Sequence, residues 1–261
     1  MKKPSVGMVS LGCPKNLVDS EVMLGLLASQ KFTLAPSIDH CDVAVINTCS
    51  FIDASRKESL DNIQELAQMK RDGKIKGLIV AGCLGQLQSD TLRDQIPEID
   101  AILGTGEYPR IPQVVDEVAG GGKPWFVDKP TYVYDEKTPR LLLTPRHSAY
   151  VKISEGCNHP CSFCIIPRLR GRHRSRTLGS IVEEVRSLSQ QGIKEINLVA
   201  QDSSFYGFDL VKESLLPQLL NELNQIEGIR WIRVLYLYPK HTTDKILDAF
   251  VNNKKIGRAH V

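Results

Sequence analysis

Short apolar runs alternate with segments of helical period through the first 120 residues. Residues 6–11 are apolar-rich and of strand length. Residues 16–30 follow with Leu17, Leu24 and Leu27 near helical spacing. Residues 43–47 predict a second strand. Residues 53–69 predict a second helix, opened by an Asp cap at Asp53 and carrying Ile63 and Leu66. Residues 77–81 and 84–95 repeat the pair. A β-α-β-α-β series predicts an α/β fold with a parallel sheet covered on both faces.

The pattern breaks at Gly120-Gly121-Gly122-Lys123-Pro124, and residues up to 146 are rich in Gly, Pro and charge. A second alternation then begins, with strands expected at 150–154, 195–200 and 231–238. Helices are expected at 180–190, 215–226 and 242–251. The expected organisation is an N-terminal α/β domain over 1–122, a linker over 123–146, and part of a βα barrel over 147–255. The series stops after three units. The last six residues, Ile256-Gly257-Arg258-Ala259-His260-Val261, match the translation of a common sequencing adapter. They are expected to be a non-native tail that replaces the rest of the barrel.

Composition narrows the function classes. The 261 residues are 42% hydrophobic and 24% charged, ordinary for a globular chain, and the net charge of +3 does not by itself argue for nucleic acid or membrane. The basic start Met1–Lys3 is followed by an apolar stretch too short for a secretory signal. No apolar run approaches membrane length. The expected location is the cytoplasm. There, scattered cysteines point to metal or catalysis rather than to a disulfide framework.

The seven cysteines fall into two sets and one outlier. Cys157, Cys161 and Cys164 have the spacing C-x3-C-x2-C directly after a predicted strand. Three soft thiolates within eight residues can wrap one compact metal centre. Structural zinc wants four closed ligands, and His159, trapped between Cys157 and Cys161 beside Pro160, is a poor fourth. An ordinary ferredoxin site supplies four cysteines per cluster. Three would leave one iron of a cubane cluster open. Cys13, Cys49 and Cys83 each sit just past the carboxyl end of a predicted strand, after the small residues Gly12, Thr48 and Gly82. In a parallel sheet those ends share one edge, so the three thiols can converge as a second such site. The alternative is three buried core cysteines. Cys41 precedes its strand, at the opposite edge, and is expected to be structural.

The loop resembles the signature of the radical S-adenosylmethionine superfamily. The two sites together resemble its methylthiotransferase family, from about residue 5 to residue 255. The resemblance is carried by LGCPKNLVDSE (11–21), INTCSFIDASRKES (46–59), VAGCLGQ (80–86), SEGCNHPCSFCIIPRLRGRHRSR (154–176) and QDSSFYG (201–207). It implies two [4Fe-4S] clusters, on Cys13/Cys49/Cys83 and Cys157/Cys161/Cys164, with S-adenosyl-L-methionine at the open iron of the second. That cluster would generate a 5′-deoxyadenosyl radical. A sulfide or polysulfide sulfur at the first would be inserted, and a methyl group added. Phe163 matches the family position near the adenine. Gln201 and Asp202, at a strand end, are candidate contacts for S-adenosylmethionine or substrate, with strand-end capping as the plain alternative.

CPKNLVDS (13–20), IPRLRG (166–171) and LYLYPKH (235–241) resemble the branch that modifies an aspartate β-carbon of small-subunit ribosomal protein twelve. The partners so implied are that protein and a reductant such as flavodoxin or ferredoxin. The run Arg168, Arg170, Arg172, Arg174 and Arg176 with His173 suits a ribosomal RNA contact, the carboxylates of aspartate or S-adenosylmethionine, or simply a solvated extended face. Two other readings stay open: a tRNA methylthiotransferase, and a non-enzymatic iron–sulfur electron carrier or RNA-binding module. Family members continue through further barrel strands to a small β-barrel domain called TRAM, so the isolated chain is expected to be poorly active or unstable.

Overall fold

The computed structural model describes residues 3–256; of the expected tail, residues 257–261 lie outside the described residues. In chain order the elements are β1 (Ser5–Ser10), α1 (Pro14–Ser29), β2 (Thr33–Leu34), β3 (Val43–Thr48), α2 (Asp53–Arg71), β4 (Gly77–Gly82), α3 (Cys83–Gln95), β5 (Ala101–Leu103), α4 (Ile111–Ala119) and β6 (Trp125–Phe126). There follow β7 (Ser148–Lys152), β8 (Ser154–Glu155), α5 (Ile166–Arg170), β9 (Arg174–Ser175), α6 (Leu178–Gln190), β10 (Glu195–Val199), α7 (Phe208–Val211), α8 (Leu216–Asn224), β11 (Trp231–Val234) and α9 (Asp244–Asn252). The chain forms two compact units. Among the described residues, the first comprises 3–132, 138–141 and 161–171; the second comprises 133–137, 142–160 and 172–256.

The first unit is built on a six-stranded parallel sheet of order β2-β1-β3-β4-β5-β6. Alternate residues of its central strands serve opposite faces, as a pleated strand requires. Val43, Val45, Ile79 and Ala81 pack with Met23 and Leu27 of α1 and with Ile111, Val114 and Val118 of α4. Ala44, Ile46, Leu78 and Val80 pack with Ile63 and Leu66 of α2 and with Leu84 and Leu92 of α3. Burial on both faces explains why these strands are continuous apolar runs rather than alternating ones.

The second unit holds a three-stranded parallel sheet, β11-β10-β7, with β8 and β9 forming a separate antiparallel pair. Ile181, Val185 and Leu188 of α6, Leu219, Leu220 and Leu223 of α8 and Ile246 of α9 cover the sheet around Val151, Ile196, Leu198 and Ile232. Ile256, the one described residue of the expected tail, makes a single parallel bridge to Ile232. Among the described residues, no helix is long and apolar enough to cross a membrane.

The structure departs from the sequence expectation in four places. Asp53 is the first helical residue of α2 rather than its cap; Ser55 Oγ instead accepts from the Ile52 N–H at 3.2 Å. The strand β6 lies inside the expected linker, where Trp125 and Phe126 pair with Ile102 and Leu103. The expected strand 231–238 ends at Val234, because Tyr236 takes a left-handed backbone conformation with φ of 63° that turns the chain. Finally, the segment Cys161–Gly171, expected in the second domain, belongs to the first unit.

Candidate metal centres

The carboxyl edge of the first sheet gathers three thiols. Register sets Ser10 beside Asn47 and Thr48 beside Gly82, so β1, β3 and β4 end together and Cys13, Cys49 and Cys83 follow at one edge. Cys13 caps α1 and Cys83 is the first residue of α3. Both therefore sit at a helix N-terminus, where backbone N–H groups lack intrahelical partners. Side chains fix the loops between them. Asn16 Nδ2 donates to Leu11 O at 2.7 Å and Thr48 O at 3.2 Å. Ser59 Oγ accepts from Cys49 N and donates to Cys49 O, and Thr48 Oγ1 donates to Ala81 O at 2.6 Å.

Two glycines leave the room. Gly82 has φ of 91°, and a Cβ there would lie 2.3 Å from Asn47 Oδ1. Gly12 has φ of 87° and faces Cys49. Burial pushes the Cys83 thiol up to about 11, while the nearby Arg170 guanidinium pulls it down and the Cys13 and Cys49 thiols add to the rise. All seven cysteines are free thiols. Three soft donors on one edge, two at helix N-termini, fit a metal–sulfur centre better than an apolar core. Cys41 is apart: buried, it donates to Ile38 O at 3.1 Å, and desolvation raises its thiol.

In the second unit, strand ends again carry the chemistry. Glu155 of β8 pairs with Lys152 at 2.6 Å, and Gly156 turns the chain into the cysteine loop with φ of 74°. Asn158 accepts from His173 N at 3.0 Å. His159 N–H points to Cys157 Sγ at 3.5 Å, and His159 Nε2 lies 2.7 Å from Asp202 Oδ2. His241 Nδ1 reaches the same oxygen at 2.9 Å, while Oδ1 accepts from Ser204 N at 3.0 Å and from its hydroxyl. His159 stacks on Tyr238 with centroids 4.8 Å apart and meets Phe205 edge-on. Both imidazoles aim at one carboxylate oxygen at hydrogen-bonding distance, so the trio is a hydrogen-bonded anchor rather than an open cation site. Burial pushes Asp202 up, but the bonds from Ser204, His241 and His159 outweigh it and hold the carboxyl below its usual value. From sequence, His159 offers itself only as a poor zinc ligand. Its link to His241 joins residues 82 positions apart and left no local signal.

The other expected site residues are also located. Cys157, Cys161 and Cys164 are half-buried, and Cys164 N–H donates to Cys161 O at 3.0 Å. Phe163 is 86% exposed. Gln201 Nε2 is buried with no partner, as is Ser154 Oγ at the end of β8. Orphaned buried donors at strand ends are what a ligand-binding edge presents before its ligand is counted.

The arginine run is not one solvated face. Arg168 and Arg172 are exposed and Arg174 half-buried, but Arg170 and Arg176 are buried. Arg176 pairs with Glu184 and lies over the Tyr134 ring at 4.2 Å. Arg170 pairs with Asp19 at 3.0 Å and donates to Asn16 Oδ1 at 3.2 Å.

Residues 5–104 match the uncharacterized protein family UPF0004, and residues 151–260 match the Radical SAM superfamily. The two matches cover the stretches that carry the two cysteine sets, and the curated relatives that the chain resembles are methylthiotransferases. The sequence is similar to ribosomal protein uS12 methylthiotransferase RimO of Desulforamulus reducens, at 50% identity over 254 residues, which covers 97% of this chain and 57% of that protein. It is 45% identical to RimO of Symbiobacterium thermophilum (96% of this chain, 52% of that one) and 46% identical to RimO of Geobacter sulfurreducens (97% and 57%). The chain thus spans a little over half the length of these relatives.

Among solved structures, it resembles the radical S-adenosylmethionine methyltransferase TsrM of Kitasatospora setae, with a TM-score of 0.67 at 14% identity, covering 99% of this chain and 61% of that one. It also resembles the cobalamin-dependent S-adenosylmethionine radical enzyme OxsB, with a TM-score of 0.54 at 13% identity, covering 96% and 42%. These likenesses establish the fold.

Proposed function

We propose that the chain is the cluster-bearing part of a methylthiotransferase that acts on an aspartate β-carbon of ribosomal protein uS12. The observation that carries this reading is the meeting of Cys13, Cys49 and Cys83 at one sheet edge of a chain that also holds Cys157, Cys161 and Cys164 at C-x3-C-x2-C spacing. Similarity to the RimO proteins supports the substrate. The unactivated β-carbon also demands radical rather than acid–base chemistry.

Each cysteine set would hold one [4Fe-4S] cluster, and S-adenosyl-L-methionine with the second cluster supplies the radical when bound. The chain's own residues position that chemistry. Asp202 holds His159, and through it the start of the cysteine loop. Gln201, with its buried orphaned amide, is the contact proposed for S-adenosylmethionine, and Phe163 the cover for its adenine. Cys13, Cys49 and Cys83 would hold the cluster that carries the sulfur to be inserted. A small electron-transfer protein such as flavodoxin or ferredoxin would supply electrons, and a sulfide or polysulfide the sulfur. The two exposed arginines, Arg168 and Arg172, remain available to ribosomal RNA.

Anaerobic reconstitution with iron and sulfide tests the reading. The wild-type chain is expected to take up two clusters. The C13A/C49A/C83A and C157A/C161A/C164A variants should each keep about half of the iron. Substrate choice is tested by mass spectrometry of uS12 and tRNA from a strain lacking the intact gene. Loss of the aspartate methylthio group is expected. An unchanged uS12 with altered tRNA would reject the substrate assignment.

A further inference from the structure

The turns that follow β10 and β11 are bonded to each other. Ser203 N–H donates to Tyr236 O at 2.9 Å, and Ser203 Oγ to Leu235 O at 2.6 Å. Tyr238 N–H donates to Ser204 Oγ at 3.1 Å, and His241 N–H closes its own turn on Tyr238 O at 2.9 Å. Asp202 is buried between these turns. Ser204 N–H donates to its Oδ1 at 3.0 Å, and the His241 ring to its Oδ2 at 2.9 Å. Oδ2 has a second donor, the ring of His159 at 2.7 Å. His159 stands two residues past Cys157. Its ring stacks on Tyr238 and lies 4.8 Å from the His241 ring.

Packing alone accounts poorly for this arrangement. A buried charged network is often no more stabilising than apolar side chains of the same volume. What it supplies is geometry. Ser204 and His241 fix the carboxylate from two sides, so Oδ2 has a set place to which the His159 ring is drawn. The main chain of His159 is held with its ring, and its N–H lies 3.5 Å from Cys157 Sγ. Hydrogen bonds to the sulfurs are among the factors that set the reduction potential of an iron–sulfur cluster. Reduction adds negative charge that the ligand sulfurs share. An N–H donor bonds more strongly to the more negative sulfur, and so favours the reduced form.

We propose that His241 is a positioning residue for the cluster that Cys157, Cys161 and Cys164 would hold: through Asp202 it sets the His159 ring, and thereby keeps the His159 main-chain N–H on the Cys157 sulfur. The inference rests on the reading of these thiols as cluster ligands. His241 acts through two hydrogen bonds and not as a ligand. What matters is the donor at its Nδ1 rather than the bulk of its ring.

The test uses the full chain carrying C13A/C49A/C83A, so that one cluster remains. It is reconstituted anaerobically with iron and sulfide. If this parent takes up no cluster, the ligand reading fails, and the proposal with it. If it does, three variants separate the hydrogen bond from the packing. H241F keeps a ring and loses the donor. H241N loses the ring, but its side-chain amide can donate where Nδ1 did. H241A loses both. Iron release to a chelator is timed, and the midpoint potential is read from the reduced-cluster EPR signal during a dithionite titration. H241A and H241F should release iron about tenfold faster than the parent and show a lower midpoint potential. H241N should match the parent in both. If H241F matches the parent and H241N behaves as H241A, packing is the role and the proposal is overturned. Parent-like values in H241A and H241F, or an unchanged potential with faster release, overturn it too. Should H241F fail to fold, H241A against H241N decides alone: a fast, low-potential H241A beside a parent-like H241N supports it, and any other pair of results overturns it.

Discussion

Gly12 lies so close to Cys49 that a methyl group on it would fall 2.6 Å from the cysteine Cβ and 3.0 Å from its sulfur. With φ of 87°, the position also excludes most side chains on backbone grounds. Gly12→Ala is therefore expected to cost about 1–3 kcal/mol and to displace Cys49 from its partners. Urea unfolding should show the loss. Iron bound by the C157A/C161A/C164A background should fall with it, whereas Gly73→Ala, where a Cβ meets nothing within 4 Å, should leave iron binding unchanged.

The buried and exposed arginines of the 168–176 run should behave differently. Arg176 is paired with Glu184, and Tyr134 Oη lies 3.3 Å from the same carboxylate. Glu184→Ala takes a paired carboxylate away from a buried guanidinium and is expected to destabilise the chain by about 3–5 kcal/mol. Arg172→Ala, at the surface, is expected to stay within about 0.5 kcal/mol of wild type. Equal midpoints in denaturant for the two variants would contradict this assignment.

Asp202 fastens His159 at 2.7 Å and His241 at 2.9 Å through one oxygen. Asp202→Asn keeps the shape but removes the charge and one acceptor. The expected result is faster loss of iron from the Cys157 loop when a chelator is added, measured in a C13A/C49A/C83A background. In the complementary background, the N-terminal cluster should lose iron at the wild-type rate. Faster loss from both would point to general unfolding instead.

Asp42 offers a pH test away from any thiol cluster. Lys76 at 2.8 Å, with the N–H and hydroxyl of Ser5, lowers its carboxyl from 3.8 to about 2. A folded-state value below the unfolded one adds stability above the unfolded pKa, and that stability is lost as pH falls through the folded value. Wild type should therefore exceed Asp42→Asn in urea midpoint at about pH 6, and the gap should narrow between about pH 4 and pH 2. The pair is partly exposed, so added salt should also shrink the gap.

Much of this was legible from sequence because local pattern and edge geometry suffice for it. The strands β1, β3 and β4 are apolar runs, and a cysteine just past each one has only the carboxyl edge to occupy. The strand β5 is not legible, since three residues of strand carry little pattern. Trp125 and Phe126 were hidden by the Gly and Pro around them. The arginine run misled because alternation in an extended segment resembles a solvated face. Whether Arg170 and Arg176 are solvated depends on Asp19 and Glu184, and only the fold brings those acids to them. The Asp202 hub is half visible in sequence: a strand-end carboxylate stands out, but the two histidines that meet it lie 43 and 39 positions away.

The placement of α5 bears on the order in which the chain can mature. Asp19 is buried from the start of the sequence, and its guanidinium partner is 151 residues downstream. A nascent chain emerging from the ribosome can form the six strands of the first sheet once residue 126 is out, yet that sheet's carboxyl edge stays incomplete until residue 170 follows. A polypeptide cut near residue 150 would thus retain all three N-terminal thiols but not the guanidinium that pairs with Asp19. The edge that Cys13, Cys49 and Cys83 share is in this sense completed only once the second cysteine motif has been synthesised.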